Sequence, residues 1–170
     1  VARTPAAHHH LVDELQERAI HREYRAVVAG AMVAGGTVDA PIGRHRVQRT
    51  RMAVTSAGKP AVTEYRVLER YRAHTLLQLK LQSGRTHQIR VHMAHIHYPI
   101  VGDPVYGGRL RMPSGASERL RAALQGFRRQ ALHAFRLGLK HPVSGEWLEW
   151  TVPVPADMAA LIEALRADAP

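Results

Sequence analysis

The pattern of apolar residues changes period abruptly at Ser83-Gly84, and that change constrains the fold more than any other feature of the chain. Before it, residues 61–71 (AVTEYRVLERY) and 74–82 (HTLLQLKLQ) carry apolar side chains at every second position. Alternation of that kind makes a half-buried β-strand. After it, Ile89, Met93 and Ile96, with Val91 beside them, fall at helical spacing. Thr86 is the expected N-cap of this helix, and Pro99 its stop. Gly102, Asp103, Pro104, Gly107 and Gly108 then form turns. The stretch 83–108 therefore reads as strand, tight turn, helix and turn-rich loop. Arg85, His87 and Arg90 lie in the turn and first helical turn, where helix N–H groups with arginine beside them make an anion site.

The flanking sequence fills out an α+β domain. Thr4-Pro5 caps and opens a helix over residues 5–19, with Leu11, Leu15 and Ala19 as its apolar face. Residues 22–29 are extended, with Tyr24, Ala26 and Val28 on one face. Thr37–Ile42 is a short extended piece, and Met52 to Val54 a short strand. Beyond the central stretch, 109–116 is a loop. Ser117–Phe127 is a helix capped by Ser117. Residues 131–140 and 146–154 are strands, and Pro155 opens a last helix over Ala156–Asp168. Hairpin strands with helices set to one side define the α+β class.

Lys and Arg number 24 against 14 acids, a net charge of +10. Such an excess favours a polyanionic partner, RNA, DNA or an acidic surface, although compositional bias toward Arg would produce it too. The chain has no cysteine, which removes disulfides, thiolate chemistry and zinc–thiolate sites. No apolar run is long enough for a membrane helix, and there is no signal-peptide apolar region. His87, His92, His95 and His97 are offset by five, three and two with no acid among them, which is not a ligand set for a metal. Asp103 precedes a proline and reads as a turn residue.

SGRTHQIRVH at 83–92, followed by HYPIVGDPVYGG at 97–108, strongly resembles the RluA-type pseudouridine synthases. In that family a GRTHQIR-like motif precedes a G-D-x-x-Y-G motif. REYRAVVAG at 22–30, GGTVDAPIGRH at 35–45, GKPAVTEYRVLE at 58–69 and RQALHAFRLGLKHPVSG at 129–145 follow the family in order, so the likeness covers nearly the whole chain. It is closest to the branch acting on large-subunit ribosomal RNA. The resemblance implies a mixed, mainly antiparallel sheet with flanking helices and a central cleft. It also implies uridine isomerisation within RNA without metal or cofactor, by a cytoplasmic monomer that engages no membrane.

The same resemblance implies the site. Arg90 would pair with the catalytic aspartate, since a buried carboxylate needs a fixed cation to stay ionised and guanidinium offers a bidentate fork. Tyr24 would stack on the uracil and carry its proton, and Leu132 would pack below the base. Arg44, His45, Arg49, Arg51, Lys59, Arg85 and His87 would hold RNA phosphates, which gives affinity without sequence information. The family's nucleophile, an aspartate in an H-R-L-D-x-x-T-S-G-like motif, has no match here. The aspartates are Asp13, Asp39, Asp103, Asp157 and Asp168, none in that context, and His45-Arg46-Val47-Gln48 lacks the aspartate. The expectation is a C-terminal portion of a catalytic domain, with the aspartate segment and any S4-like RNA-binding domain upstream of residue 1. Two other readings stay open: an RNA-binding module without catalysis, and a metal-dependent RNA hydrolase carried by the histidines.

Overall fold

The structure, a computed structural model, describes residues 1–168. In chain order the elements are α1 (Pro5–Gln16), β1 (His21–Ala29), β2 (Gly36–Asp39), β3 (Ile42–Arg44), β4 (Met52–Val54), β5 (Val62–Arg70) and β6 (His74–Leu81). There follow α2 (Gln88–His95), α3 (Glu118–Gly126), β7 (Leu132–Lys140), β8 (Trp147–Thr151) and α4 (Ala156–Ala167). Six strands form one sheet in the order β2-β5-β6-β1-β7-β8, and β3-β4 is a separate hairpin. Every pairing among these strands is antiparallel. With four helices around it, this is the expected α+β class.

The two central strands carry the core. Ala26, Val27 and Val28 on β1 and Leu77 and Leu79 on β6 are wholly buried. Leu120 and Leu124 of α3 and Met158, Leu161 and Leu165 of α4 join the same cluster. Burying a side chain of this size stabilises by roughly 1.5–3 kcal/mol. The β1 edge facing β7 is shared. Along most of β1 the partner is β7, but at its C-terminal end residues 99–101 take over: Val101 N donates to Val27 O at 2.9 Å and Ala29 N to Pro99 O at 2.9 Å. Val27 N in turn donates to Ala131 O, and Ala131 N to Val101 O at 2.8 Å, so three chain segments meet at one point. Gly102, immediately after, has φ +72° and lies against the Arg129 carbonyl so closely that a Cβ would sit 2.2 Å from that oxygen. Only glycine fits there.

Three expectations need correction. The apolar face of the first helix is not Leu11-Leu15-Ala19: Leu15 is exposed and α1 stops at Gln16. The buried residue of α1 is Glu14, whose carboxylate accepts Lys140 N, so α1 docks on the end of β7 through a polar contact. Thr37–Ile42 is two strands, because Pro41 separates β2, in the main sheet, from β3, in the hairpin. Thr86 does not cap α2; the N-cap position is His87, in a left-handed conformation with φ 57° and no capping bond from its side chain. His97, with φ 67°, lies past the end of α2 two residues before Pro99.

Gln88 explains the start of α2. Its Oε1 accepts Arg85 N at 3.0 Å and Ser83 Oγ at 2.8 Å, while its Nε2 donates to Val62 O at 2.9 Å and Thr63 Oγ1 at 3.0 Å. The turn amide of Arg85 is thus satisfied internally and does not point at a ligand. Thr63 Oγ1 also bonds His92 Nδ1 at 2.9 Å, and His92 Nε2 bonds Ala40 O at 2.9 Å. This buried network fastens α2 to the sheet. Thr63→Val keeps the side-chain shape but leaves Gln88 Nε2 with one bond of two and His92 Nδ1 without its partner. A denaturant melt should register a loss of about 1–3 kcal/mol, the cost of a buried polar group left unpaired.

Candidate active site

One helix and one loop converge on Arg90. The helix supplies Arg90 from its first turn, and the loop after residues 99–101 supplies Asp103. Arg90 Nε donates to Asp103 Oδ2 at 2.7 Å and Nη2 to Oδ1 at 2.8 Å. The Asp103 side chain is fully buried and that of Arg90 is 11% exposed. Asp103 Oδ1 also accepts Val105 N and Tyr106 N, both at 2.9 Å. Asp103 is therefore the turn residue expected from sequence, and in addition the buried counter-ion of Arg90, which the sequence did not reveal. Burial pushes its carboxyl up, but the Arg90 guanidinium and the two amide donors together hold it below the usual range. The Asp103 carboxylate likewise raises the Arg90 pKa, so the guanidinium stays charged. Side-on pairing uses one edge of that group. Among the described residues Nη1 has no hydrogen-bond partner. A second carboxylate approaching end-on would meet an unused pair of donors.

Tyr106 closes the site. Its hydroxyl accepts Met52 N at 3.0 Å from the β4 strand and lies 3.0 Å from His87 Nδ1. The Arg90 guanidinium carbon stands 4.9 Å from the ring centroid, and that of Arg51 5.3 Å, both within cation–π range. Burial first, and then the Arg90 charge, lower the His87 pKa and favour the neutral imidazole. A neutral His87 accepts the Tyr106 hydroxyl proton at Nδ1, while the hydroxyl oxygen accepts Met52 N. The sequence signal for Tyr106 was present in the G-D-x-x-Y-G motif, but its role as the hub of this site was not.

Tyr24 and Leu132 are brought together. Tyr24 pairs with Ala134 and Ala26 with Leu132 across β1 and β7, so the two side chains are diagonal neighbours on one face of the sheet. Both are half-buried against the main core. Asp103 lies two residues past Val101, and Leu132 one past Ala131, where Ala131 N donates to Val101 O.

The expected phosphate ligands divide into two groups. Arg44, His45 and Arg51 shape the β3–β4 hairpin: Arg44 donates to Arg49 O, His45 Nδ1 accepts Val47 N and Gln48 N, and Arg51 donates to Gln48 Oε1 and Val105 O. Arg85 Nε is held by Pro60 O at 3.1 Å. Arg49 and Lys59 project into solvent, and His87 is exposed on its Tyr106 contact. The other histidines separate, with His92 buried in the sheet contact and His95 and His97 exposed. Among the described residues no cluster of His, Asp or Glu is placed to hold a metal ion.

A family model described as RNA pseudouridylate synthase matches residues 1–95, a span that includes Tyr24 and Arg90 and ends before Asp103, Tyr106 and Leu132. The chain belongs to that family. Along 168 residues it is 61% identical to the ribosomal large subunit pseudouridine synthase D of Escherichia coli (strain K12), covering 99% of this chain and 52% of that protein. It is 58% identical over 168 residues to the protein of the same name from Xanthomonas campestris pv. campestris, covering 99% of this chain and 51% of that one. The chain thus spans about half the length of the curated relatives it matches. The fold is also that of the solved structure of human RNA Pseudouridylate Synthase Domain Containing 4, at TM-score 0.76 and 24% identity over 96% of this chain and 69% of that one. Human RNA Pseudouridylate Synthase Domain Containing 1 superposes at TM-score 0.71 with 26% identity, covering 99% and 75%.

Asp103→Asn keeps the turn acceptor but removes the charge opposite Arg90. Breaking a buried pair from one side costs about 3–5 kcal/mol, so the variant should melt well below the parent at neutral pH. Because the folded carboxyl pKa is depressed, the stability it contributes is present above the ordinary carboxyl range and is lost as pH falls through the folded value. Parent and variant should therefore converge on acidification. Equal unfolding curves at neutral pH would show that the pair contributes no stability.

Proposed function

We propose that this chain is the C-terminal part of the catalytic domain of an enzyme that isomerises specific uridines of large-subunit ribosomal RNA to pseudouridine. Family membership and the names of the relatives support the reaction. The single observation that carries the site is Arg90, a buried, fixed guanidinium with one edge held by Asp103 and Nη1 unpartnered among the described residues. In this reading an aspartate from a segment upstream of residue 1 docks end-on against that open edge. The guanidinium keeps it ionised while the glycosidic bond breaks and the uracil is released to turn. The carbon–carbon bond then forms at C5 of the ring, and the proton on that carbon must leave. Tyr24, beside Leu132, takes it as general base, and Leu132 forms the floor under the ring. The Tyr24 ring stacks on the base as well.

Binding rests on the basic surface of the β3–β4 hairpin, where Arg49 and Lys59 stand exposed beside the more anchored Arg44, His45, Arg51, Arg85 and His87. These contact phosphates and set the register of the RNA without reading its sequence. The reading places the enzyme in the cytoplasm as a monomer, with no metal and no organic cofactor. No described helix is long and apolar enough to cross a membrane. The competing reading, an RNA-binding module without catalysis, differs in whether the complete protein converts uridine.

Two measurements test the proposal. The chain of residues 1–170 alone should give no pseudouridine on unmodified ribosomal RNA, while the complete protein should. Turnover by the isolated chain would eliminate the upstream aspartate from the mechanism. In the complete protein Arg90→Ala should lower the rate on the order of a hundredfold or more, the scale of losing one electrostatic partner. Arg90→Lys should be poor too, because an ammonium cannot form the planar double contact. Tyr24→Phe separates stacking from proton removal: RNA affinity should hold within a few-fold while product formation is largely abolished. Normal turnover by Tyr24→Phe would leave the ring as a platform only.

A further inference from the structure

A cleft of about 890 Å³ is lined partly by Tyr106 and by no residue of the β3–β4 hairpin. Asp103 and Tyr106 contribute to its lining, so it is continuous with the Arg90 site. Its outer wall is the loop after Tyr106, with Arg109, Leu110 and Arg111, and Arg128 follows from the end of α3. All four are exposed. The only carboxylate in the lining is Asp103, which is fully buried and already neutralised by Arg90.

The three arginines differ from the paired ones outside the cleft. Arg129 is paired with Asp157, Arg136 with Glu149 and Arg166 with Glu69 and Glu163. Arg109, Arg111 and Arg128 make no ion pair among the described residues. Three unneutralised guanidinium groups along a cleft with no free acid attract a repeated anionic charge, not a single anion. Leu110, 46% exposed, and half-buried Met112 add apolar surface between the cations. Cations spaced along an apolar shelf match the backbone and base faces of a nucleic acid strand. The volume lies within the range of about 300–1,000 Å³ typical of ligand clefts, enough for a nucleotide with its adjoining phosphates.

We propose that the Arg109–Arg111–Arg128 cleft holds the single-stranded RNA segment on one side of the target uridine, so that the strand crosses Tyr106 between this cleft and the β3–β4 hairpin. The inference rests on the RNA substrate proposed above and adds a second contact surface to it. None of the three arginines touches the reacting groups, and each is exposed, so their removal leaves the core intact.

The test compares two variants of the complete protein on an unmodified transcript of large-subunit ribosomal RNA, across a salt series. One is Arg109→Gln/Arg111→Gln/Arg128→Gln. The other is Arg136→Gln/Arg166→Gln, which removes arginines already satisfied by acids. For single strands the slope of log affinity against log salt is about −0.7 per phosphate neutralised, so the triple variant should be shallower by about 2. The paired-arginine variant should keep the parent slope. Equal loss per charge in both variants would reduce the effect to net charge and overturn the cleft. An unchanged slope in the triple variant overturns it as well and leaves the cleft to an acidic protein partner. A parent with no salt-dependent affinity for the transcript overturns the RNA reading itself, which separates the two failures.

Discussion

The Arg90–Asp103 pair is the contact on which the site depends. A buried guanidinium is tolerable only with a counter-charge, and a buried carboxylate only with donors on its lone pairs. Here each group answers the other's need. Asp103 spends one oxygen on two backbone amides of its own turn and shares both with Arg90. The loop is therefore pinned to the first turn of α2, and with the loop comes Tyr106. Its ring lies under Arg90, and its hydroxyl ties His87 to the β3–β4 hairpin. One ion pair thus orders a helix, a turn and a hairpin around a single point, and the same pair leaves one edge of the guanidinium uncommitted.

In the proposed site the sheet would supply Tyr24 and Leu132, which it holds side by side through register. Tyr24 and Leu132 meet because β1 and β7 pair antiparallel in a register that shifts between Glu23 and Tyr24. A bulge re-aims side chains locally. Segment 99–101 then replaces β7 along β1, which carries the ion pair to the end of the strand holding Leu132. The proposed site would thus draw on α2, the turn and two strands, with no element providing more than one or two groups.

Much of this was legible in the sequence where local physics governs. Alternation gave β5 and β6 to within a residue, Ser117 caps α3 through Leu120 N, and Thr4 caps α1 through Ala7 N. The motifs singled out Arg90, Tyr24 and Leu132 as the proposed site residues. What was not legible depended on tertiary approach. Glu14 is buried because the end of β7 offers a backbone donor, which no helical pattern encodes. The start of α2 is set by Gln88 reaching to β5, so Thr86 has no capping role. Asp103 before a proline is a turn residue by every local rule, and its second role appears only when α2 lies against the turn. The standing of Arg109, Arg111 and Arg128 as unpaired cations could not be read either, since their paired counterparts carry the same letter.

The three-way junction of Val27, Val101 and Ala131 also bears on how the molecule forms. Its members come from the early, middle and late parts of the chain, so no local nucleus contains the site. Non-local contacts are slow to form because loop closure must precede the interactions that reward it. The β5–β6 hairpin and α3 can organise early from neighbouring residues, as can Arg90 and Asp103, 13 residues apart. Segment 99–101 reaches its final place only when β1 and the start of β7 have met, because both hold it by backbone hydrogen bonds. The local half of the centre can thus form before the sheet that fixes where it sits.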